Sequence, residues 1–514
     1  MKNIYKKTLG LLLVATTISS PATAFAGAGT MGFSGGISEG LRMPTITQRQ
    51  LNPGLNGRRN VAGTFNYSEI IFVSGIPTQV NGEITVSQSA TVTDDEMGTF
   101  TFTSSVSTPA APPAEEGEEA TGGSLNRDIT WNVEWRRVGN QVIKNYSVDG
   151  WVENIIILDD TFTLDPDDSF FYISIIEDHN PGIVFYAGNI SKRASFNDGA
   201  VVLEATGHIY GFDSPFSSTE TQRLDVWVDA GDWQMSYQIR PSVSVTTSLM
   251  YQQTTPTAIS FQGNYMHFMS NQSIVAYDIF IVPQQFHWIP TAGSAHIDTH
   301  TTFEQLPAAD LTWLRGHFAE QDISRLFAQG ILSGPTNHFV PNQVMTRGEF
   351  IQALVRALRI EVPEIQSAPT AFNRTQRIVF PDVINTRPDY RYVMAAYRSG
   401  LAYGRSDGNF HVDVPITREE AVATLIRGLG LENVVPNPMP VTAFTDSMQI
   451  SGWAMRDVAA ALELGLISGD ANGNFRPRDI LTKAEASAFI NMFIDYMRED
   501  LVFDYSNRMV NFTW

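Results

Sequence analysis

Hydrophobic positions repeat with two different periods along this chain, and the change falls near His300. From about Val61 to Pro290 apolar and polar residues alternate. Leu224, Val226 and Val228 alternate with polar neighbours, and after Ala230-Gly231-Asp232 the alternation resumes at Trp233, Met235, Tyr237 and Ile239. That pattern predicts a hairpin turning at the glycine. Val243, Val245 and Leu249 continue the meander, and further strands are expected around 70–73, 100–102, 133–135, 155–158, 170–176, 183–186, 201–203 and 274–282. Many short strands at even spacing predict an all-β region, sandwich-like, in one or two units. The low-complexity insert 108–123 is too poor in large apolar residues to order itself. It is a mobile loop or a hinge between two β-units, and the continuing meander on both sides favours a loop.

After His300 the apolar spacing turns helical, and the chain aligns to itself three times. Phe318, Ile323, Leu326 and Phe327 outline an amphipathic helix, stopped by Gly330 in the left-handed role of a helix C-terminus. Gly400 and Gly465 recur at the same place. A loop with a second glycine (Gly334, Gly404, Gly469) and a phenylalanine (Phe339, Phe410, Phe475) follows. Then Thr-x-x-Glu appears as Thr346/Glu349, Thr417/Glu420 and Thr482/Glu485, the signature of a capping box. Each copy therefore reads as helix, glycine stop, loop and capped helix. One copy cannot bury its apolar face alone, whereas three stacked together can.

A cation follows each capping threonine: Arg347, Arg418 and Lys483. A positive charge at the first helical residue opposes the helix dipole and costs a few tenths of a kcal/mol. Two readings of the threefold recurrence stand side by side. Either an anion binds at each helix N-terminus beside the cation, or the side chain turns away or pairs with an acidic neighbour.

These residues resemble S-layer homology domains, whose signature includes a Trp-Ala helix, a Gly-Ile/Leu stop, a Gly-x-Phe-x-Pro loop and an Ile-Thr-Arg-Ala-Glu helix start. The resemblance covers about residues 303–498 and implies an all-α pseudo-threefold trefoil. It also implies binding of an anionic secondary cell-wall polysaccharide, often pyruvylated, in grooves between copies. Arg347, Arg418, Lys483, Gly334, Gly404, Gly469 and Trp453 are the positions carried over to those grooves. The copies are unequal. The tryptophan position holds Phe318 in the first and Pro388 in the second, and Val412 replaces the loop proline of the second. The Phe-x-Asp opening stands as Phe380-Pro381-Asp382 and Phe444-Thr445-Asp446 but not cleanly in the first copy. One or two working grooves are expected rather than three.

The chain as a whole is expected to divide as follows: 1–26 a signal peptide, 27–60 an irregular arm, 61–300 the β-rich region, 301–365, 366–435 and 436–498 the repeats, and 499–514 a tail. Lys2, Lys6 and Lys7, the apolar run around Leu11–Ala15 and the Ala24-Phe25-Ala26 site carry the signal-peptide reading. The expected location is secreted, on the cell wall, without a membrane span after cleavage.

Charge narrows the partners. The net charge of −20 argues against nucleic acid. Residues 27–300 hold 30 Asp/Glu against 12 Lys/Arg, while the region after 300 is nearly balanced and all its cations but Lys483 are arginine. Arginine favours planar, bidentate contact with carboxylate or phosphate. The absence of cysteine removes disulfides and thiolate metal sites.

Other chemistry is weakly signalled. Asp159, Asp160, Asp165, Asp167 and Asp168 form a cluster that could hold calcium, although a solvated acidic loop explains it more simply. Asp470-Ala471-Asn472-Gly473-Asn474 departs from a calcium loop in the place of its glycine. Glu134, Glu153, Glu177 and Glu204 show no paired setting for glycoside hydrolysis. His208, His267 and His287 lack ligand spacing. Trp131, Trp135, Trp151 and Trp233 fit core positions better than sugar platforms. The expectation is a non-enzymatic surface protein, capable of self-association, with an anchored polysaccharide-binding or glycoside-hydrolysing protein as the alternative.

Overall fold

The computed structural model describes residues 35–38, 61–91, 96–109, 122–252, 264–297, 302–306, 309–362, 379–432, 435 and 442–505. The expected signal peptide, most of the expected arm and the middle of the low-complexity insert lie outside the described residues.

The strands are β1 (Ile37–Ser38), β2 (Val61–Ile71), β3 (Thr78–Thr91), β4 (Met97–Ser107), β5 (Gly123–Val138), β6 (Gln141–Ile157), β7 (Asp160–His179), β8 (Val184–Phe196), β9 (Val201–Asp213), β10 (Ser217–Asp229), β11 (Gln234–Gln252), β12 (Asn264–Ile281), β13 (Ala292–Ile297) and β14 (Thr302–Gln305). They form one antiparallel sheet in chain order from β1 to β13, with β14 beside β13 on β12. This corrects the sandwich expectation: among the described residues no strand leaves for a second sheet. Alternation with period two records which face a residue takes, not which strand lies beside it. A sandwich and a curled meander therefore read alike in sequence.

The sheet curls until β13 comes against β2. β1, a fragment of the expected arm, fills part of the seam. Ile37 is fully buried, and Ser273 Oγ donates to the Ser38 carbonyl at 3.2 Å. The expected hairpin is present, with Gly231 at φ 73° between β10 and β11. On the two sides of the low-complexity insert Ser107 pairs with Asn126, so β4 and β5 are neighbours in one sheet.

Residues on the inward face are apolar, with Trp131, Val133, Tyr146, Ile173, Ile209 and Val228 all fully buried. Trp135 and Trp151 belong to the same core and Trp233 packs against it. Two polar clusters interrupt it. Arg127 sits between Glu69 at 2.8 Å and Glu153 at 2.7 Å, and Trp151 donates its indole N–H to Glu153. Lys144 pairs with Glu177, which also meets His179 at 2.9 Å. Each charge named in these two clusters has an opposite partner, as burial in a low dielectric requires.

The repeat region supplies six principal helices: α1 (Glu320–Ala328), α2 (Arg347–Ala357), α3 (Tyr390–Arg398), α4 (Arg418–Leu429), α5 (Met455–Glu463) and α6 (Lys483–Asp495). α6 runs on through a π-helical turn, Tyr496–Asp500, into α7 (Leu501–Asp504), so the chain expected as a tail is helical to its last described turn. α1, α3 and α5 are each followed by a left-handed glycine, Gly330, Gly400 and Gly465, with φ 67°, 79° and 71°. The capping boxes of α2, α4 and α6 are complete in both directions.

The sheet and the helices share one packed junction. Gly182, in the β7–β8 turn, donates to the Gly428 carbonyl at 2.8 Å and lies against Leu358. Ser217 Oγ donates to the Met497 carbonyl at 2.5 Å. Tyr505 stacks on Phe185, meets Phe212 edge-on and donates to the Tyr186 carbonyl. Leu358, Gly428 and Met497 all lie at the C-terminal ends of α2, α4 and α6. The N-terminal ends of these helices, which carry the three cations, are therefore about one helix length, roughly 16 Å, from the sheet.

Candidate functional site: the ring of helix starts

The three helix starts interlock. Met345 N–H donates to Leu481 O at 2.9 Å, Leu481 N–H to Ile416 O at 3.1 Å, and Ile416 N–H to Met345 O at 2.9 Å, closing a cycle. The next donors continue it. Arg347 N–H bonds Val414 O, Arg418 N–H bonds Asp479 O and Lys483 N–H bonds Gln343 O, at 2.9, 3.0 and 2.8 Å. Gly348, Glu419 and Ala484 donate to Val412, Pro477 and Pro341 in the same sense. The third N–H of each helix goes to its own threonine hydroxyl.

These bonds decide one of the two sequence readings. The first three N–H groups that would make each helix start an anion site are consumed, two by a neighbouring loop and the third by the capping threonine. Each helix start therefore has none of these three N–H groups left for an anion.

The cations are arranged by the same cycle. Arg347 donates its Nε to Phe410 O at 3.1 Å and lies 5.2 Å from the Phe410 ring. Arg418 repeats this with Phe475 O at 2.9 Å and the ring at 5.4 Å, and also lies 5.0 Å from the Phe489 ring. Lys483 lies 5.9 Å from the Phe339 ring. Each cation thus rests on the loop phenylalanine of the next copy, within cation–π range.

Their charge partners differ. Arg347 Nη1 donates to Glu420 at 2.9 Å, and Arg405 reaches the same carboxylate at 2.7 Å. Burial raises the Glu420 carboxyl, but Arg347, the Thr417 N–H and Arg405 together hold it below its usual range. Lys483 donates to Glu349 at 2.7 Å. The cyclic equivalent for Arg418 is Glu485, which like Glu349 and Glu420 accepts its own threonine N–H at Oε2 but, unlike them, has no cation within ion-pair distance at Oε1 among the described residues. Among the described residues Arg418 makes no ion pair within 4 Å. Burial and the neighbouring Arg476 lower its pKa, while Glu485, Asp479 and Asp470 act the other way without pairing with it.

Phe410 and Phe475 are fixed by the Phe-x-Asp aspartates. Asp382 accepts from the N–H groups of Phe410 and His411, and Asp446 from those of Phe475 and Arg476. His411 and Arg476 are thereby held left-handed, at φ 60° and 57°. Two of the three glycines carried over to the grooves, Gly404 and Gly469, are closely packed, while Gly334 has open space around it and a left-handed backbone. A Cβ at Gly404 would stand 2.6 Å from the Phe380 ring, and one at Gly469 about 3.0 Å from the Gly473 backbone. Gly334 has φ 106°. Trp453 is 58 % exposed and Phe318, at the same place in the first copy, 72 %.

Glu420 and Glu349, legible as capping-box residues, also neutralise a neighbour's cation; pairing with an acidic residue was one of the two readings of these cations, but the partners lie 73 and 134 residues away and could not be named from the sequence. The near-equal spacing from the Phe-x-Asp aspartate to the loop phenylalanine, 28 and 29 residues, was the available signal for the roles of Asp382 and Asp446.

The calcium candidates are not brought together. Asp168 pairs with Arg193 at 3.1 Å, Asp165 accepts from the Asp167 N–H, and among the described residues no group of three or more His, Asp or Glu is placed to hold a metal. Glu153 and Glu177 face inward in ion pairs, while Glu134 and Glu204 face outward. His208, His267 and His287 lie on separate elements.

Residues 314–351, 379–422 and 443–487 match the S-layer homology domain. The three C-terminal repeats are S-layer homology repeats. Similar proteins include an amylopullulanase of Thermoanaerobacterium thermosulfurigenes, 31 % identical over 39 % of this chain and 10 % of the relative. An exoglucanase XynX of Acetivibrio thermocellus is 32 % identical over 34 % of this chain and 15 % of the relative. The S-layer protein EA1 of Bacillus anthracis is 24 % identical over 34 % of this chain and 19 % of the relative. The chain thus spans less than a fifth of the length of these relatives, and the enzymes among them are matched through the S-layer homology repeats alone. Repeats of this family and S-layer relatives belong to the cell surface, and among the described residues no helix is long and apolar enough to cross a membrane.

Proposed function

We propose that this is a surface-layer or surface-associated structural protein, held non-covalently to an anionic secondary cell-wall polysaccharide by its S-layer homology repeats. The observation that carries this reading is Arg418. It is a guanidinium at a family motif position, seated on two aromatic rings, beside an Asp446-pinned loop, with no carboxylate paired to it among the described residues. A planar cation of this kind suits the carboxylate of a pyruvylated sugar, which can take two parallel N–H bonds. The reading makes the groove around Arg418 the principal one. The grooves of Arg347 and Lys483 carry their own counter-charges, and the Lys483 groove lacks the aspartate-pinned loop.

The cyclic bonding of the helix starts supports the pseudo-threefold trefoil that the family implies. The sheet joins the opposite ends of the helices, so the cations face the wall while the sheet points outward. A structural role, with self-association among its forms, is preferred to hydrolysis because Glu153 and Glu177 are committed to buried ion pairs. Full-length protein should sediment with purified walls, and Arg418→Ala should reduce that binding about tenfold while helicity is unchanged. Equal effects from all three cation-to-Ala variants would remove the case for one principal groove.

A further inference from the structure

The outward face of β6–β9 carries four uncharged side chains in a lateral row, which Glu134 on β5 and Arg223 on β10 continue at its two ends. Asn145, Ser174, Asn189 and His208 stand side by side in register on four consecutive strands. Tyr172, 44 % exposed, and the half-buried Tyr210 flank it on the neighbouring rows. The two amides are oriented alike. Asn145 Oδ1 accepts from Tyr172 OH at 3.0 Å and from Ser174 Oγ at 2.9 Å. Asn189 Oδ1 bonds His208 Nδ1 at 2.9 Å. With their oxygens held within the sheet, both amides have an NH₂ group left to donate outward, and neither has a partner among the described residues.

This uncharged row lies in a region where 30 acidic residues face 12 basic ones. The acidic surroundings repel a polyanion, and a cationic partner gains nothing from the row itself. An uncharged chain of hydroxyl groups is complementary to it. Fixed amide donors meet sugar oxygens, and tyrosine rings meet the apolar faces of the sugars. Asn145 and Asn189 are two strands apart, roughly 9.5 Å, about the length of one disaccharide unit. We propose that this face binds an uncharged polysaccharide chain lying across the strands, separately from the repeats that hold the wall.

The test uses full-length protein carrying Arg418→Ala, so that the helical grooves contribute little. It is mixed with microcrystalline cellulose, insoluble xylan, chitin and starch granules, and depletion from solution is measured. Retention is expected on at least one of these, weakened about tenfold by Asn145→Ala with Asn189→Ala and nearly unchanged by Tyr172→Phe, which keeps the ring. The double alanine variant in an otherwise native chain should still sediment with walls and keep its circular dichroism, which separates failure here from failure of the anchor. No retention on any of the four, or retention indifferent to the double variant, overturns the proposal. So does a double variant that changes the sedimentation velocity of the protein instead, since the face would then join copies of this chain.

Discussion

Arg347 Nη1 donates to Glu420 Oε1 at 2.9 Å across the boundary between the first and second repeats. The same glutamate completes the capping box of α4, so one carboxylate both starts a helix and cancels a neighbour's charge. Glu420→Gln separates the two duties. Glutamine serves a capping box as well as glutamate, so stability should change by less than about 1 kcal/mol. Arg347 should become available, and binding to purified walls should rise a few-fold. Unchanged binding in this variant would mean that the Arg347 groove is idle for another reason.

The capping threonines make a complementary prediction. Thr417→Ala leaves the third N–H of α4 without its acceptor and should cost about 1 kcal/mol, read as a lower thermal midpoint. Because the neighbouring loops still satisfy Arg418 and Glu419, wall binding at 25 °C should persist.

Arg127 is the only cation within 4 Å of Glu69 and Glu153 among the described ion pairs, and all three side chains are buried. Arg127→Met strands two carboxylates in the core. Breaking a buried pair from one side costs about 3–5 kcal/mol, and denaturant unfolding of the β-region should show a loss of this size. Replacing all three residues by apolar ones of similar volume should recover most of it.

His267 supplies a pH dependence at the junction. Burial, with Arg498 and Arg359 nearby, pushes its pKa from 6.5 down to about 4. The folded state therefore resists the proton that the unfolded chain accepts. Stability is full above pH 6.5 and is lost as pH falls from there towards 4, by about 2 kcal/mol allowing for partial exposure. His267→Gln should flatten this part of the profile, measured as the difference between the two proteins in urea midpoints at pH 4.5 and 7.5. Parallel profiles would show that His267 does not contribute.

The junction itself rests on Tyr505, 6 % exposed against Phe185 and Phe212. Tyr505→Ala should cost about 3 kcal/mol and raise the rate of proteolytic cutting between sheet and repeats.

Much of this was legible in sequence where physics is local. Thr346 with Glu349, and Gly330 before its loop, announce helix starts and stops through contacts a few residues apart, and the structure has them in place. The strands were legible for the same reason, through the alternation of residues such as Leu224, Val226 and Val228. What could not be read is tertiary. The bond from Arg347 N–H to Val414 O joins positions 67 residues apart, and it converts an apparent anion site into a closed joint. The pairing of β1 with β2, which turns part of an apparently irregular arm into core, likewise depends on a partner about 30 residues away. The inequality of Arg347 and Arg418 was invisible because both copies spell Thr-Arg-x-Glu or Thr-Arg-Glu-Glu; all three glutamates are held by their own threonine through Oε2, and Glu420 and Glu349 also reach a neighbour's cation through Oε1, whereas Glu485 does not come within ion-pair distance of Arg418.

The most direct measurement is sedimentation of the full-length protein with purified cell walls, before and after acid removal of the secondary polysaccharide. The account predicts co-sedimentation with intact walls, its loss on stripped walls, and a tenfold weaker interaction for Arg418→Ala than for the native chain. Undiminished binding to stripped walls, or an Arg418→Ala variant that binds as well as the native protein, would contradict it.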